Sequence, residues 1–140
     1  MTTETKTPHG RWKELAITFD DATARLPDAL KKEGFGVITQ IDLQETFKAK
    51  LGADFRRYRI FGACNPAFAH AAVTEDPRVG VLLPCNVVLY EDDRGRAVIG
   101  AVDPMQTLGG AAVGSNATGL ASIAREVGER LDRVLASLAT

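Results

Sequence analysis

Residues 81–102 read VLLPCNVVLYEDDRGRAVIGAV, in which two apolar runs are separated by a polar cluster rich in aspartate and glycine. Runs of valine, leucine, isoleucine and tyrosine favour strands, and an aspartate-rich cluster that ends in glycine favours a tight turn. The stretch therefore predicts a β-hairpin. Its strands extend over Val81–Tyr90 and Ala97–Val102, and its turn contains Asp92, Asp93 and Gly95.

Three further strands and two short helices precede this hairpin. Strands are predicted over Arg11–Phe19, Gly34–Ile41 and Tyr58–Cys64. The short helices follow Asp42 and Asn65, because each of these residues is a suitable N-cap at the end of an apolar run.

A longer helix is predicted between the first two strands. It begins at Asp20 or Asp21, which can cap it, and it ends at Gly34. Pro27 lies inside this helix and removes a backbone donor, so we expect either a bend or a late start.

The last predicted helix is the most regular element of the chain. From Leu120 onward, apolar residues recur at the i, i+3, i+4, i+7 spacing for about five turns, so one broad face must pack on an apolar surface. The pairs Glu126–Arg130 and Glu129–Arg133 mark the opposite face, which we expect to be solvated. The complete element order predicts an α+β fold. About five mainly antiparallel strands form its sheet, the two long helices cover one face, and the short helices are insertions.

The composition is that of an ordinary globular protein. Of 140 residues, 45% are hydrophobic and 25% are charged, which excludes disorder as the main state and is sufficient for one domain. We assign this domain to residues 11–140 and expect residues 1–10, MTTETKTPHG, to be a disordered tail.

The net charge of −1 gives no general attraction to nucleic acid or anionic lipid, and no apolar run reaches the length of a membrane helix. We therefore expect a cytoplasmic protein that binds neither nucleic acid nor membrane.

The dipeptide Cys-Asn occurs twice, at Cys64-Asn65 and at Cys85-Asn86. If the two strands that carry it pair in antiparallel fashion, both thiols come near the same rung of the sheet. Cys64 directly precedes a helix N-terminus, where the helix dipole favours a reactive thiolate. Two inert buried thiols, or a disulfide, would fit the same pattern.

Asn86 is the strongest single indication of a site. Asparagine is disfavoured inside strands, and a buried amide must find hydrogen-bond partners, so this residue has no evident structural role.

His70 adds a third residue of interest, six positions after Cys64. With Cys64 and Cys85 it would supply three ligands, the number found in open zinc sites. The sequence lacks the Cys-x-x-Cys and His-x-x-x-His pairs that are typical of such sites. We therefore predict no metal site and keep this trio as a third alternative.

Two other segments match binding motifs incompletely. Residues 109–115, GGAAVGS, have the glycine spacing of a phosphate-binding loop without its lysine, which argues against nucleotide hydrolysis and leaves a small-anion site or a surface loop. Arg56, Arg57 and Arg59 form a basic cluster. Three charges diluted by Asp54 are too few for a nucleic-acid surface and are typical of a solvated strand edge.

Three motifs carry a family resemblance: GFG at residues 34–36, GACNP at residues 62–66 and LPCN at residues 83–86. Together with Asp103-Pro104 they follow the order found in the family called domain of unknown function 302, which the chain resembles from Leu15 to Pro104. The resemblance implies a fold similar to that of the TATA-binding protein, with the order β-α-β(4)-α, and a homodimer. It implies no reaction and no cofactor, and a shared fold does not imply DNA binding.

Three functions fit these observations, and the sequence leaves open whether the protein is an enzyme. The first is a small-ligand or thiol site in a homodimeric domain, with the candidate residues Cys64, Asn65, Cys85, Asn86 and His70. The second is a non-enzymatic interaction module, in which the Cys-Asn motifs serve the fold and the dimer interface. The third is a metal-binding protein that uses Cys64, Cys85 and His70.

Overall fold

A computed structural model describes residues 4–111 and 118–138. Its strands are β1 (Glu4–Lys6), β2 (Gly10–Glu14), β3 (Gly36–Asp42), β4 (Tyr58–Cys64), β5 (Cys85–Glu91) and β6 (Ala97–Val102). Within these ranges all six strands form one antiparallel sheet in the order β1-β2-β6-β5-β4-β3. The α+β class and the hairpin of β5 and β6 are confirmed.

The helices are α1 (Phe19–Lys32), α2 (Leu43–Leu51), α3 (Pro66–Glu75), α4 (Leu108–Ala111) and α5 (Thr118–Leu138), with a 3₁₀-helix over Pro77–Leu82. Asp42 and Asn65 cap α2 and α3, as predicted. Helix α1 begins earlier than predicted, because the hydroxyl of Thr18 caps it by accepting a hydrogen bond from the amide of Asp21 at 3.1 Å. The helix continues through Pro27, so the expected late start is wrong.

Helices α1 and α5 pack on one face of the sheet, which we call the covered face. The apolar spacing of α5 accounts for this, because the same side chains that recur every three or four residues are the ones buried against the strands. Each large side chain buried in this way stabilises the fold by about 1.5–3 kcal/mol. The main core includes Leu26, Leu30, Phe61, Val87, Leu89, Ile99, Leu131 and Leu135.

A smaller apolar cluster lies beside the main core, between α3, the 3₁₀-helix, α4 and α5. Its buried members are Ala72, Val79, Leu108, Leu120 and Ala124. Ile123 of α5 contacts both clusters, so the last helix joins them.

The expectation of a disordered tail over residues 1–10 is wrong for the residues that the structure describes. Glu4–Lys6 pairs with β2, and the indole Nε1 of Trp12 donates to the hydroxyl of Thr7 at 3.1 Å. The segment forms a sixth strand at the sheet edge, where all three of its residues are exposed. A polar sequence is compatible with a solvated edge strand as well as with disorder, so composition alone does not separate the two.

Two expectations about other segments change with the structure. The first strand after the tail ends at Glu14 and not at Phe19. Residues 109–111 of the glycine-rich stretch belong to α4, and its residues 112–115 lie outside the described part of the chain. Across residues 4–111 and 118–138, no helix combines the length and apolar character needed to cross a membrane.

Candidate functional site

The two Cys-Asn motifs lie at the same end of neighbouring strands. Strands β4 and β5 are antiparallel, with Ala63 opposite Cys85 and Gly62 opposite Asn86. Cys64 is the next residue along β4, so it lies beside the rung that carries Cys85. The prediction that the two thiols lie close together required these strands to pair in antiparallel fashion, and they do.

A cavity of about 260 Å³ opens at this end of the sheet, and we call it the cysteine cavity. Strand β4, the start of β5, and helices α3, α4 and α5 contribute to its wall, which is almost entirely hydrocarbon. Among the described residues of this otherwise apolar wall, only Cys64, Asn65 and Cys85 bring a thiol or an amide side chain. Its apolar residues include Phe35, Phe68, Ala69, Leu108, Ile123 and Val127.

The two thiols in this wall have different surroundings. Both cysteines are free, so the structure does not contain the alternative disulfide. Cys64 is half-buried, whereas Cys85 is buried. Burial raises the pKa of the Cys85 thiol from 9.0 to about 11, and the neighbouring Cys64 adds to this shift. Cys85 is therefore a protonated thiol at neutral pH, with little nucleophilic character.

Asn65 has a structural role as well as a place in the cavity wall. Its Oδ1 accepts a hydrogen bond from the backbone N–H of Phe68 at 3.3 Å and so caps α3. Its Nδ2 lies 2.8 Å from the point that a Cβ on Gly34 would occupy. Gly34 has a φ of +85°, so the first glycine of the GFG motif is required both by the backbone conformation and by the room that this amide takes.

Arg130 of α5 lies beside Asn65 and borders the cavity without being one of its lining residues. Its Nη1 is 3.4 Å from that same point beside Gly34, and its guanidinium lies over the ring of Phe68, 5.2 Å from the centroid. The pair with Glu126 predicted a solvated position for Arg130. The overlooked signal is its spacing, since Arg130 follows Val127 by three residues and Ile123 by seven, and both of these line the cavity.

The position of Asn86 differs from the predicted buried one. It is exposed, so it is not a buried amide in need of partners. Successive residues of a strand point to opposite faces, and Asn86 therefore lies on the face opposite to that of Cys85. It lines a shallow depression of about 540 Å³ on that uncovered face, together with Trp12, Tyr58 and Val88.

His70 also lies outside the cysteine cavity. It is exposed on α3, and it is not among the residues that line the cavity. In residues 4–111 and 118–138 no three residues of the types His, Cys, Asp and Glu are grouped so that they could hold a metal ion. Cys64, Cys85 and His70 therefore do not form the metal site considered as the third alternative.

The uncovered face of the sheet carries a row of aromatic rings. Tyr58 stacks on Tyr90 with ring centroids 5.6 Å apart, and Trp12 meets Tyr90 edge-on at 6.1 Å. Phe55 extends the row from Tyr58 at 6.1 Å. Burial raises the pKa of Tyr58, and the neighbouring Tyr90 adds to the shift.

The family model described as Domain of unknown function DUF302 matches residues 13–138. The chain belongs to this family. A crystal structure of an uncharacterized conserved DUF302 protein from Bacillus stearothermophilus is 31% identical to it, with a TM-score of 0.80. The alignment covers 91% of this chain and 95% of that chain. No curated protein shows a significant match. The resemblance inferred from the GFG, GACNP and LPCN motifs is confirmed, and the DUF302 match extends beyond them through α5.

Proposed function

We propose that this DUF302 protein binds a small apolar molecule in the cysteine cavity. The observation that carries the proposal is the wall, in which almost all of the accessible surface is hydrocarbon. Transfer of apolar surface from water into such a site is favourable by about 25 cal/mol per Å². Concave, mostly apolar sites with a few placed polar groups are the usual form of small-molecule sites.

The volume of the cavity limits the size of the molecule. An engineered cavity of about 150 Å³ in another protein binds benzene, which has six carbon atoms. By proportion, a cavity of about 260 Å³ has room for about ten carbon atoms. An aliphatic chain or a fused aromatic body of that size fits the site.

Binding is favoured over thiol catalysis by the composition of the wall. Thiol catalysis requires a thiolate, which proteins commonly form with an adjacent base or cation. Among the described residues that line the cavity there is no aspartate, glutamate, histidine, lysine or arginine; Arg130 borders the cavity at Phe68, and Cys85 is held protonated. The role left for Cys64 and Cys85 is a soft, polarizable contact with the bound molecule.

Titration with 1-octanol tests this proposal, by isothermal calorimetry and by amide chemical shifts in NMR spectra. We expect saturable binding with shifts centred on α3 and the start of β5. Ala69→Leu should weaken binding at least tenfold, because Ala69 lines the cavity and the larger side chain fills it. Ala67→Leu is the matched control, since Ala67 is exposed on the same helix. Absence of saturable binding, or equal binding by the two variants, would contradict the proposal.

We propose further that the uncovered sheet face joins a second copy of this chain, which is the interaction that the family resemblance implied. An antiparallel sheet that faces water normally carries polar side chains on that side. Among the strand residues that register places on this face, one is charged, Glu14. The others include Trp12, Ile41, Tyr58, Ile60, Val88, Tyr90 and Val98.

A second copy fits this face better than other occupants. The segments of this sequence outside the described ranges are residues 1–3, 112–117 and 139–140. Even six fully extended residues span only about 20 Å, whereas six strands are about 24 Å wide. Nucleic acid would require free cations, but Arg56, which borders the face near Tyr90, pairs with Asp93 at 2.8 Å. A face whose one charged strand residue, Glu14, pairs with Arg96 at 3.6 Å can meet its own copy across a two-fold axis with little charge repulsion.

Sedimentation equilibrium from 5 to 500 µM, concentrations of the order used for weak dimers, tests the dimer. We expect a dimer for the wild type and a folded monomer for Val88→Asp, because the new carboxylate would be buried without a partner. Val88→Ile keeps the face apolar and should remain dimeric. A wild type that is monomeric throughout, or a Val88→Asp variant that stays dimeric, would overturn this assignment.

The two free thiols favour a reducing compartment, which supports the expected cytoplasmic location.

A further inference from the structure

The Asn65 corner of the cysteine cavity contains hydrogen-bond donors that have no acceptor. The Oδ1 of Asn65 is used by the amide of Phe68, whereas its Nδ2 donates to no acceptor among the described residues. Arg130 donates from Nε to Glu126 at 3.1 Å and from Nη1 to the carbonyl of Glu33 at 3.0 Å. Its Nη2 has no acceptor within the same part of the chain. Two donors, one of them cationic, therefore remain available at one place.

Of these two residues, Asn65 lines the cavity, whereas Arg130 borders it through its contact with Phe68. The guanidinium of Arg130 lies over the ring of Phe68, which is part of the wall. On α5, Arg130 continues the stripe formed by Ile123 and Val127. The apolar cavity thus has one polar end, at the corner shared by Asn65 and Arg130.

We infer that the ligand is a monocarboxylate, with its apolar body in the cysteine cavity and its carboxylate at the Asn65–Arg130 corner. The inference rests on the proposed ligand-binding function and specifies the class of ligand. A carboxylate accepts charge-assisted hydrogen bonds from a guanidinium, and these are about twice as strong as neutral ones. At Arg130 the Nη2 group is available for this bond, because Nε and Nη1 already donate to Glu126 and Glu33.

The exposure and the charges of the corner fit a carboxylate. The Arg130 side chain is 31% exposed, so a carboxylate there stays partly hydrated and avoids the full cost of burying a charge. The two nearest acidic side chains already have cationic partners. Glu126 pairs with Nε of Arg130, and Glu33 pairs with Arg133 at 2.8 Å. A bound carboxylate would therefore contact the free Nη2 group of Arg130, and both neighbouring acidic side chains would keep their cationic partners.

The rest of the wall that the structure describes offers no equivalent. Its other polar side chains are the two cysteines, of which Cys85 is a protonated thiol and therefore a weak hydrogen-bond donor. A ligand with a polar group at each end would leave one group without a partner, at a cost of about 1–3 kcal/mol. The site thus selects molecules that are polar at one end only.

Comparison of octanoate with 1-octanol at pH 7.5 tests the inference, since the two share a chain length and octanoate is ionised at that pH. We expect the wild type to bind octanoate at least tenfold more tightly. Arg130→Gln should weaken octanoate binding at least tenfold and change 1-octanol binding less than twofold, whereas Arg130→Lys should retain part of the preference. Arg125→Gln is the matched control, because Arg125 is exposed on the same helix.

The outcomes separate this inference from the proposed function. If 1-octanol binds and octanoate binds no better, or if Arg130→Gln keeps the preference for octanoate, the carboxylate assignment is wrong and the cavity remains a ligand site. If neither probe binds the wild type, the proposed function fails, and the inference fails with it. Unchanged 1-octanol binding by Arg130→Gln shows that this variant keeps the fold of the cavity.

Discussion

The two Cys-Asn dipeptides have the same sequence, but they differ in the burial of the cysteine and in the secondary structure that the asparagine joins. Cys64 is half-buried at the end of β4, and Asn65 then leaves the strand to cap α3. Cys85 is buried at the start of β5, and Asn86 continues the strand on its exposed side. One dipeptide ends a strand and the other begins one, and this position decides the role of each side chain.

The second dipeptide connects the two faces of the sheet, because it contributes one side chain to each of them. Because side chains alternate along a strand, the Cys85-Asn86 motif divides between the two faces. Cys85 belongs to the cysteine cavity, whereas Asn86 belongs to the depression on the uncovered face. The Cys64-Asn65 motif remains with the cavity, because the chain turns into a helix at Asn65. The proposed ligand site and the proposed interaction surface therefore meet at one pair of neighbouring strands.

The largest expected difference is in thiol reactivity. At pH 8, a pKa of about 11 leaves about 0.1% of Cys85 as thiolate, against about 10% for a thiol at 9.0. In a Cys64→Ala variant, iodoacetamide should therefore modify Cys85 at least a hundredfold more slowly than it modifies free cysteine. In a Cys85→Ala variant, the more exposed Cys64 should react faster than Cys85 does. Mass spectrometry of both reactions over time gives the rates, and equal rates would remove the contrast between the two motifs.

The same buried thiol should make stability depend on alkaline pH. The pKa of Cys85 is about 11 in the folded protein and near 9.0 in an unfolded chain. The folded state therefore keeps its proton where the unfolded state loses it, and this contribution is complete below pH 9. It amounts to about 2–3 kcal/mol and is lost as the pH rises from 9 to 11.

Urea denaturation across this range, compared between wild type and Cys85→Ala, isolates the effect from other titrating groups. The free energy of unfolding should fall more steeply with pH in the wild type. Cys64→Ala is the control and should keep most of the effect, because burial is the larger cause of the raised pKa of Cys85 and the neighbouring Cys64 the smaller one. Parallel curves for the wild type and Cys85→Ala would show that the Cys85 thiol is not held protonated by burial.

Local patterns in the sequence predicted much of the fold and only part of the site. The caps at Asp42 and Asn65 and the apolar stripe of α5 depend on residues a few positions apart, and all three are confirmed. The burial of Asn86 could not be judged in this way, because the exposed side of β5 is set by which helices cover the sheet. Nothing local to residues 1–10 distinguished an edge strand from a disordered tail.

Arg130 shows most clearly why the site was only half predicted. Its i,i+4 partner Glu126 is visible in the sequence, and the pair does form at 3.1 Å. Its place beside Phe68 and Gly34 depends on the packing of α5 against α3 and the start of β3, which brings together residues far apart in the chain. The apolar wall has the same origin, since α3, α5 and the sheet each contribute to it.

The GFG motif offers a smaller test of the claim that Asn65, and not Asn86, shapes the cavity. Gly34→Ala should destabilise the protein by about 2 kcal/mol, because alanine resists the positive φ and its Cβ would displace the amide of Asn65. Gly36→Ala is the matched control within the motif, since a Cβ there meets nothing within 4 Å. It should change the free energy of unfolding by less than about 0.5 kcal/mol. Equal losses in thermal or urea denaturation would contradict the special role of Gly34.

Substitution of the two asparagines compares the motifs most directly, although the expected change in stability is the smallest of those predicted. Asn65→Ala removes the side-chain acceptor for the amide of Phe68 and should cost about 1 kcal/mol of stability. Asn65→Asp keeps an acceptor and should recover most of that loss. It also places a carboxylate beside Arg130, so it should weaken octanoate binding more than Asn65→Ala does. Asn86→Ala should change stability by less than about 0.5 kcal/mol, because Asn86 is exposed and caps no helix. An equal loss of unfolding free energy in Asn86→Ala and Asn65→Ala would contradict this contrast. It would mean that Asn86 stabilises the protein although it is exposed, as a contact in the proposed dimer interface would do.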